Sequence, residues 1–369
     1  MRCKWWGWLI AFWCPVWAFA ESGIPIKLGG RLFVDGGLFT ETDRSAYVKT
    51  GITEVRLTGK INLPDDWYTK IDVGFAGNKA SLKDAFAQKI WGNNMFRAGY
   101  MLGMCSIEQS SSTNDFVFMT AANVAETFYL GRRVGITYTY AKDKYYISAG
   151  GFCGDGLGDD KVMPGYNMTL RGVFCPLNKE GERLHVGFGG LFRRPDKEKT
   201  QAYRSARFKS NGVTYLSVPS ALDVEVDQVK HTFQWNVEAV YLSRRYFLQA
   251  EYLSMNVQRE KVDRYQPWGA YMQGGFLIKG NFFSYDVWDA LPLTPKEDRS
   301  LLLSGCVNVT SLNDGLVRGG LQQDVTVGLN YYMNKYVILK LNGSVVWTKE
   351  KEEMKRTFGV LQTRLQVRF

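Results

Sequence analysis

Beyond its first twenty residues the chain repeats one unit. Apolar and polar side chains alternate over about ten residues, a turn follows, and another alternating run begins. Three hairpins show this best. Gly135–Ala141 and Tyr145–Gly150 flank Lys142-Asp143-Lys144, Trp235–Leu242 and Arg245–Tyr252 flank Ser243-Arg244, and Val325–Tyr332 and Tyr336–Asn342 flank Met333-Asn334-Lys335. Tyr or Phe borders each turn, as expected where short turns meet a membrane interface lined with aromatic rings. Helical periodicity is nearly absent. A period of two places neighbouring side chains on opposite faces of a strand, so each run has one apolar and one polar face.

Such runs can be placed at 27–39, 51–63, 67–77, 82–91, 95–103, 131–141, 145–154, 165–175, 183–193, 230–242, 245–257, 268–279, 299–310, 322–334, 336–348 and 357–369. The reading is all-β: a 16-stranded antiparallel transmembrane β-barrel, with an even strand number that leaves both chain ends on the periplasmic side. A barrel of that size encloses a water-filled channel. The last run supports closure. Leu361, Leu365, Val367 and Phe369 share one face, while Gln362, Arg364, Gln366 and Arg368 share the other, and the strand ends on an aromatic residue.

Residues 1–20 read as a secretory signal: Arg2 and Lys4, an apolar run from Trp5, and the small-x-small site Ala18-Phe19-Ala20. Residues 21–369 are then one outer-membrane barrel. The formal net charge is +10, and removing Arg2 and Lys4 leaves +8. A basic balance suits an anionic partner or a membrane face, and nothing else in the chain points to nucleic acid. Beyond the signal, no apolar stretch is long enough for a spanning helix. Cys105, Cys153, Cys175 and Cys306 show no CxxC spacing and no close histidine, so no metal centre and no cofactor is expected. They are read as mostly free thiols. The acidic, Gly-rich Gly154–Asp160 has the composition of a calcium loop but reads better as a turn.

The apolar face must meet lipid, where no polar group finds a partner, so the polar face turns to the lumen. That assigns Arg31, Arg56, Lys60, Lys70, Arg97, Arg133, Arg171, Arg183, Lys340, Arg364 and Arg368 inward, against the fewer carboxylates Asp35, Asp72, Glu238 and Glu251. An excess of Arg and Lys concentrates anions, and the guanidinium fork matches carboxylate and phosphate. The expected function is passive diffusion of small anions, phosphate among them. A channel this wide needs a constriction. Segment 104–130 carries few charges but holds Phe116–Met119 and Phe128–Leu130, which are out of place on an exposed loop. We expect it to fold into the barrel, setting Arg132 and Arg133 beside the narrow point. Segment 280–298 is too long for a simple periplasmic turn and is expected to fold in from below with Asp286, Trp288 and Asp289. Two rival readings are a surface or adhesin barrel plugged by its own loops, for which 194–229 is long enough, and a barrel enzyme using His185 or His231.

Several short motifs, in order, carry a family resemblance. They are Gly29-Gly-Arg-Leu-Phe-Val-Asp-Gly36, Asp72-Val-Gly-Phe-Ala-Gly-Asn-Lys79, Ser81-Leu-Lys-Asp-Ala-Phe-Ala-Gln88, Arg97-Ala-Gly-Tyr100, Ser106-Ile-Glu-Gln-Ser-Ser111 and Gly131-Arg-Arg-Val-Gly135. Leu170–Phe174, Leu184–Phe188 and Val327–Tyr332 continue the series. Together they resemble the phosphate-selective porins O and P, especially Bacteroidetes-type relatives. The resemblance implies a sixteen-stranded barrel in a Gram-negative outer membrane, a homotrimer, and uptake of phosphate and other anions through a basic pore. The chain departs from the family pattern at Thr120-Ala121, where relatives carry an acidic then a basic residue. It departs again at Met101–Cys105, where relatives often carry Lys and Pro.

Overall fold

The computed structural model describes residues 25–369 apart from 42–43, 154–160, 217, 219, 282, 296 and 351–353. The signal-like start and the Gly154–Asp160 motif lie outside the described residues. Sixteen antiparallel strands close into one barrel in sequence order. They are β1 (Ile26–Glu41), β2 (Arg44–Asn62), β3 (Trp67–Gly74), β4 (Ser81–Trp91), β5 (Asn94–Met101), β6 (Arg133–Lys142), β7 (Tyr145–Cys153) and β8 (Tyr166–Lys179). The circuit continues through β9 (Glu182–Arg194), β10 (Val229–Leu242), β11 (Tyr246–Arg259), β12 (Trp268–Lys279), β13 (Ser300–Asp314), β14 (Val317–Tyr332), β15 (Val337–Glu350) and β16 (Met354–Arg368). Each expected run coincides with one of these strands, most ends agreeing to within four residues, although β2 begins seven residues and β14 five residues earlier than expected.

Closure joins β1 to β16, with Arg31 opposite Arg368 and Asp35 opposite Arg364. The last residue completes the seam: the Gly30 and Phe369 amides each donate to the other's carbonyl, at 2.9 and 3.0 Å. Gly30 is required there, because a Cβ would stand 2.6 Å from the Arg56 carbonyl oxygen and 2.8 Å from the Phe369 ring. A closed circuit leaves no strand edge to be satisfied in hydrocarbon. The outer face bears the apolar set, including exposed Ile136, Ile147, Leu170, Val327 and Leu361, while alternate residues such as Thr137, Ser148, Arg171, Thr326 and Gln362 are buried inside.

The lumen is filled asymmetrically. The segment between β5 and β6 folds inward as two short helices, α1 (Ile107–Ser110) and α2 (Asn123–Thr127). It packs against the β9–β16 half of the wall. Met104 and Ile107 join Val240, Phe247, Leu302 and Ile338 in one apolar cluster, and Val124 and Phe128 join Leu253, Tyr271 and Leu312 in another. The contact is close enough to demand a second glycine: a Cβ on Gly189 would stand 1.8 Å from the Cys105 carbonyl oxygen. The segment between β9 and β10 also turns in, its hairpin of Ala206–Ser210 with Leu222–Val226 placing Phe208 against the Phe128 ring at 5.8 Å. From the end that holds the chain termini, Ser284–Asp286 and Leu291–Leu293 form a small hairpin between β12 and β13 that enters the lumen. The four described cysteines are free thiols.

Candidate functional site

Because the inward segments fill the β9–β16 half, the β1–β5 half stays open as a cavity of about 910 Å³. Alternation along these strands turns many of their charged side chains inward. Arg31, Arg56, Lys60, Lys70 and Arg97 all line the cavity, and Arg132, the last residue before β6, joins them. These six are the expected pore-lining cations that the structure brings together.

The other six sit on the inner surface away from this opening. Arg171 is fully buried, with Nε 2.9 Å from Glu238 Oε1 and its other nitrogens donating to the Asp289 and Ala290 carbonyls at 2.8 and 2.9 Å. Arg364 forks onto Asp35, two bonds of 2.7 Å, beside the Phe33 ring. Lys340 Nζ donates to the Phe116 carbonyl at 2.5 Å and so holds the loop. Arg133 is buried behind the loop, donating to the Leu130 carbonyl at 3.2 Å. Arg183 stacks 4.0 Å over the Tyr285 ring, and Arg368 reaches Thr294 Oγ1 at 3.3 Å. Their charge is therefore spent on fastening the inward segments or the seam.

Sequence reasoning passed over three charged residues on the open wall: Glu54, Lys83 and Asp84. Glu54 lies two residues before Arg56, so alternation alone would have found it. Lys83 and Asp84 both line the cavity although adjacent, because a register shift between β3 and β4 at Ile71/Val73 breaks the period of two. Glu54 pairs with both Arg31 and Arg56 Nε, the latter at 2.6 Å. Arg56 also reaches Asp72 at 3.2 Å. Asp84 is held between Lys70 at 2.6 Å and Arg132 at 2.5 Å. Among the described residues Lys60 and Lys83 line the cavity without an ion-pair partner.

Wall and inserts differ in sign. The wall, with Arg132, contributes seven cations and only Glu54, Asp72 and Asp84 as carboxylates. The inward loop adds Glu108, Asp115 and Glu126, and the hairpin adds Asp286 and Asp289. The cationic excess therefore belongs to one side of the cavity. Three of the five inserted carboxyls are pushed toward their neutral form. Burial raises Glu126 to about 7, opposed by a hydrogen bond from Asn211. Burial also raises Glu108, and burial with neighbouring Asp289 raises Asp286.

The loop is held by buried polar groups of the wall. Glu251 accepts the Ile107 and Glu108 amides at 2.8 and 3.2 Å, and the Tyr271 hydroxyl donates to it at 2.6 Å. Glu108 in turn accepts from Gln249 and Gln273 at 3.1 and 2.7 Å. The hairpin is tied at its tip, where Asp289 meets Arg97 at 3.3 Å, and at its base, where the Tyr285 hydroxyl lies 2.8 Å from His185 Nδ1. His185 Nε2 lies 3.0 Å from Glu238, so this histidine is a buried part of the hairpin's anchor.

The model of the family described as phosphate-selective porin O and P matches residues 26–369. An uncharacterised protein of Caulobacter vibrioides is 22% identical over 281 residues, which span 72% of this chain and 56% of its own length. The chain thus spans little more than half of that relative. Among solved structures, OmpT of Vibrio cholerae superposes with a TM-score of 0.60 at 12% identity, covering 93% of this chain and 97% of its own. The anion-selective porin of Comamonas acidovorans gives 0.58 at 8% identity, covering 94% and 100%. The outer-membrane channel DcaP of Acinetobacter baumannii gives 0.57 at 12% identity, covering 95% and 98%. At these identities the likeness is one of fold: all are outer-membrane barrels.

Proposed function

The chain belongs to the phosphate-selective porin O and P family and is a porin of the Gram-negative outer membrane, and we propose that it lets small anions diffuse passively along its basic β1–β5 wall. One observation carries the reading: seven Lys and Arg side chains stand beside three carboxylates on one wall of the open cavity, across from five insert carboxyls of which three are pushed toward their neutral form. A stripe of one sign along a narrow, low-dielectric passage raises the local concentration of the opposite ion and repels its own. Lys60 and Lys83 contribute to this without a paired carboxylate, whereas Arg31, Arg56, Lys70 and Arg132 share their charge with Glu54, Asp72 and Asp84, and Arg97 with Asp289. The solved porin of Comamonas acidovorans is described as anion-selective, which accords with this direction.

Phosphate is one candidate among the anions. Residues 1–20 serve as the export signal in this reading. The working form is a homotrimer, as the family resemblance implies; Vibrio cholerae OmpT has been solved in a trimer form.

The test is a planar-bilayer recording of the purified chain under a potassium chloride gradient. The reversal potential should take the sign of chloride preference. Lys60→Glu with Lys83→Glu should move it toward zero or past it. A cation preference in the unaltered chain would overturn the reading, and absence of any conductance would overturn the channel itself.

A further inference from the structure

The cavity is more than a charged passage, because rings and thioethers face its cations. We infer that its preferred solutes are organic anions, a phosphate or carboxylate carried on an aromatic body, in place of small inorganic anions. The inference rests on the anion-channel reading above and names the solute class for the same site.

Two stations of cation and ring lie along the cavity. Toward the β5–β6 loop, Tyr129 is well exposed, and its hydroxyl accepts from Arg132 Nη1 at 3.3 Å. Toward the inserted hairpin, the Phe86 ring carries the Arg97 guanidinium at 4.8 Å and the Lys70 ammonium at 5.9 Å, with Tyr68 tilted against it at 6.4 Å. Trp288 lines the cavity beside this second station. Its position is fixed: Asp286 accepts the Trp288 and Asp289 amides at 2.8 and 3.2 Å, and Asp289 bonds to Arg97. Among the described residues, neither Tyr129 nor Trp288 stacks on another ring. Tyr129 therefore offers an exposed ring beside Arg132, and the half-exposed Trp288 lines the cavity next to the Asp289–Arg97 pair.

The rest of the lining agrees. Leu102, Met104 and Ala121 of the loop and Leu291 and Pro292 of the hairpin also line the cavity. A hydrated inorganic anion gains nothing from such a surface. An anion with an aromatic body can place its charge on Arg132, Lys70 or Arg97 while its ring lies against Tyr129 or Trp288, contacts that add to the charge attraction. Two stations in series allow a solute to pass from one to the next, since each holds it weakly enough to leave.

The experiment compares block of the chloride current by inorganic phosphate and by phenyl phosphate, both as dianions at alkaline pH, on single channels of the full chain. Phenyl phosphate should block at about threefold to tenfold lower concentration, the range one added ring contact supplies. Trp288→Ala and Tyr129→Ala should each bring that ratio toward one, and Trp288→Phe should retain most of it, which separates loss of the ring from collapse of the hairpin. Equal block by the two anions in the unaltered chain, or a ratio indifferent to both alanine variants, would overturn the inference while leaving the anion channel intact. A current carried by cations at pH 6, where Glu126 is neutral, would instead overturn both.

Discussion

At the scale of single residues, the inner wall shows that an inward charge and a free charge are different things. Arg364 illustrates this. Alternation along the last strand places it inside correctly, yet it is fully buried and bound through Nε and Nη2 to Asp35 across the β1–β16 seam. Replacing it by Met leaves Asp35 as an uncompensated buried charge, and we expect a loss of about 3–5 kcal/mol. Arg364→Met with Asp35→Leu should recover most of that loss, since removing both partners avoids the orphaned charge. Urea unfolding of the detergent-folded barrel, followed by tryptophan fluorescence, measures both. Equal stability of the single variant and the parent would show that the pair does not hold the seam. The direction of Arg171, Lys340 and Arg364 was legible from the period of two. Their partners were not, because pairing depends on which segment folds over them, and a backbone carbonyl such as that of Phe116 leaves no trace in a sequence.

At the scale of elements, sixteen alternating runs were legible because lipid imposes the same rule on every strand: apolar outward, polar inward. That segment 104–130 turns inward was also legible, since Phe116–Met119 and Phe128–Leu130 have no place on a wet surface. What it rests on was not. The floor is a set of buried polar groups on the opposite half of the barrel, led by Glu251, whose carboxylate closes the first turn of α1. Glu251→Ala strips partners from two buried amides and the Tyr271 hydroxyl, each worth about 1–3 kcal/mol when left unsatisfied. Strand pairing is untouched, so the barrel should still fold while the loop loosens. Single-channel records should then show larger mean conductance and frequent stepwise closures. A quiet trace at the parental conductance would mean that the apolar clusters around Ile107 and Val124 hold the loop alone. The inward turn of the segment after β9 shows the complementary limit. Its length was plain, but its apolar residues are scattered, and only the folded hairpin gathers Phe208, Leu222 and Val226 onto α2.

At the scale of the whole molecule, the lumen divides into a filled half and an open half, and this division decides what its charges do. A count over all inward residues predicts a uniformly basic interior. The structure instead sets a basic wall against inserts that carry carboxyls, so the field depends on how many of those carboxyls are ionised. Glu126 sits at the control point. It lines the cavity, and burial lifts its pKa from the ordinary 4.5 to about 7. Below that value Glu126 is neutral and opposes the wall least, whereas above it a further negative charge enters the passage. Anion preference should therefore fall as pH rises from about 6 to about 8, a window set by this raised value. The same shift has a stability consequence of definite sign. The unfolded carboxyl releases its proton first, so the folded chain binds more protons between 4.5 and 7 and loses stability as pH rises through that window. Glu126→Gln stays neutral throughout and should flatten both trends, keeping the low-pH reversal potential at pH 8. Reversal potentials of parent and variant at the two pH values decide the matter: if the parent's selectivity does not change with pH, or the variant's changes equally, Glu126 is not the group that sets the field.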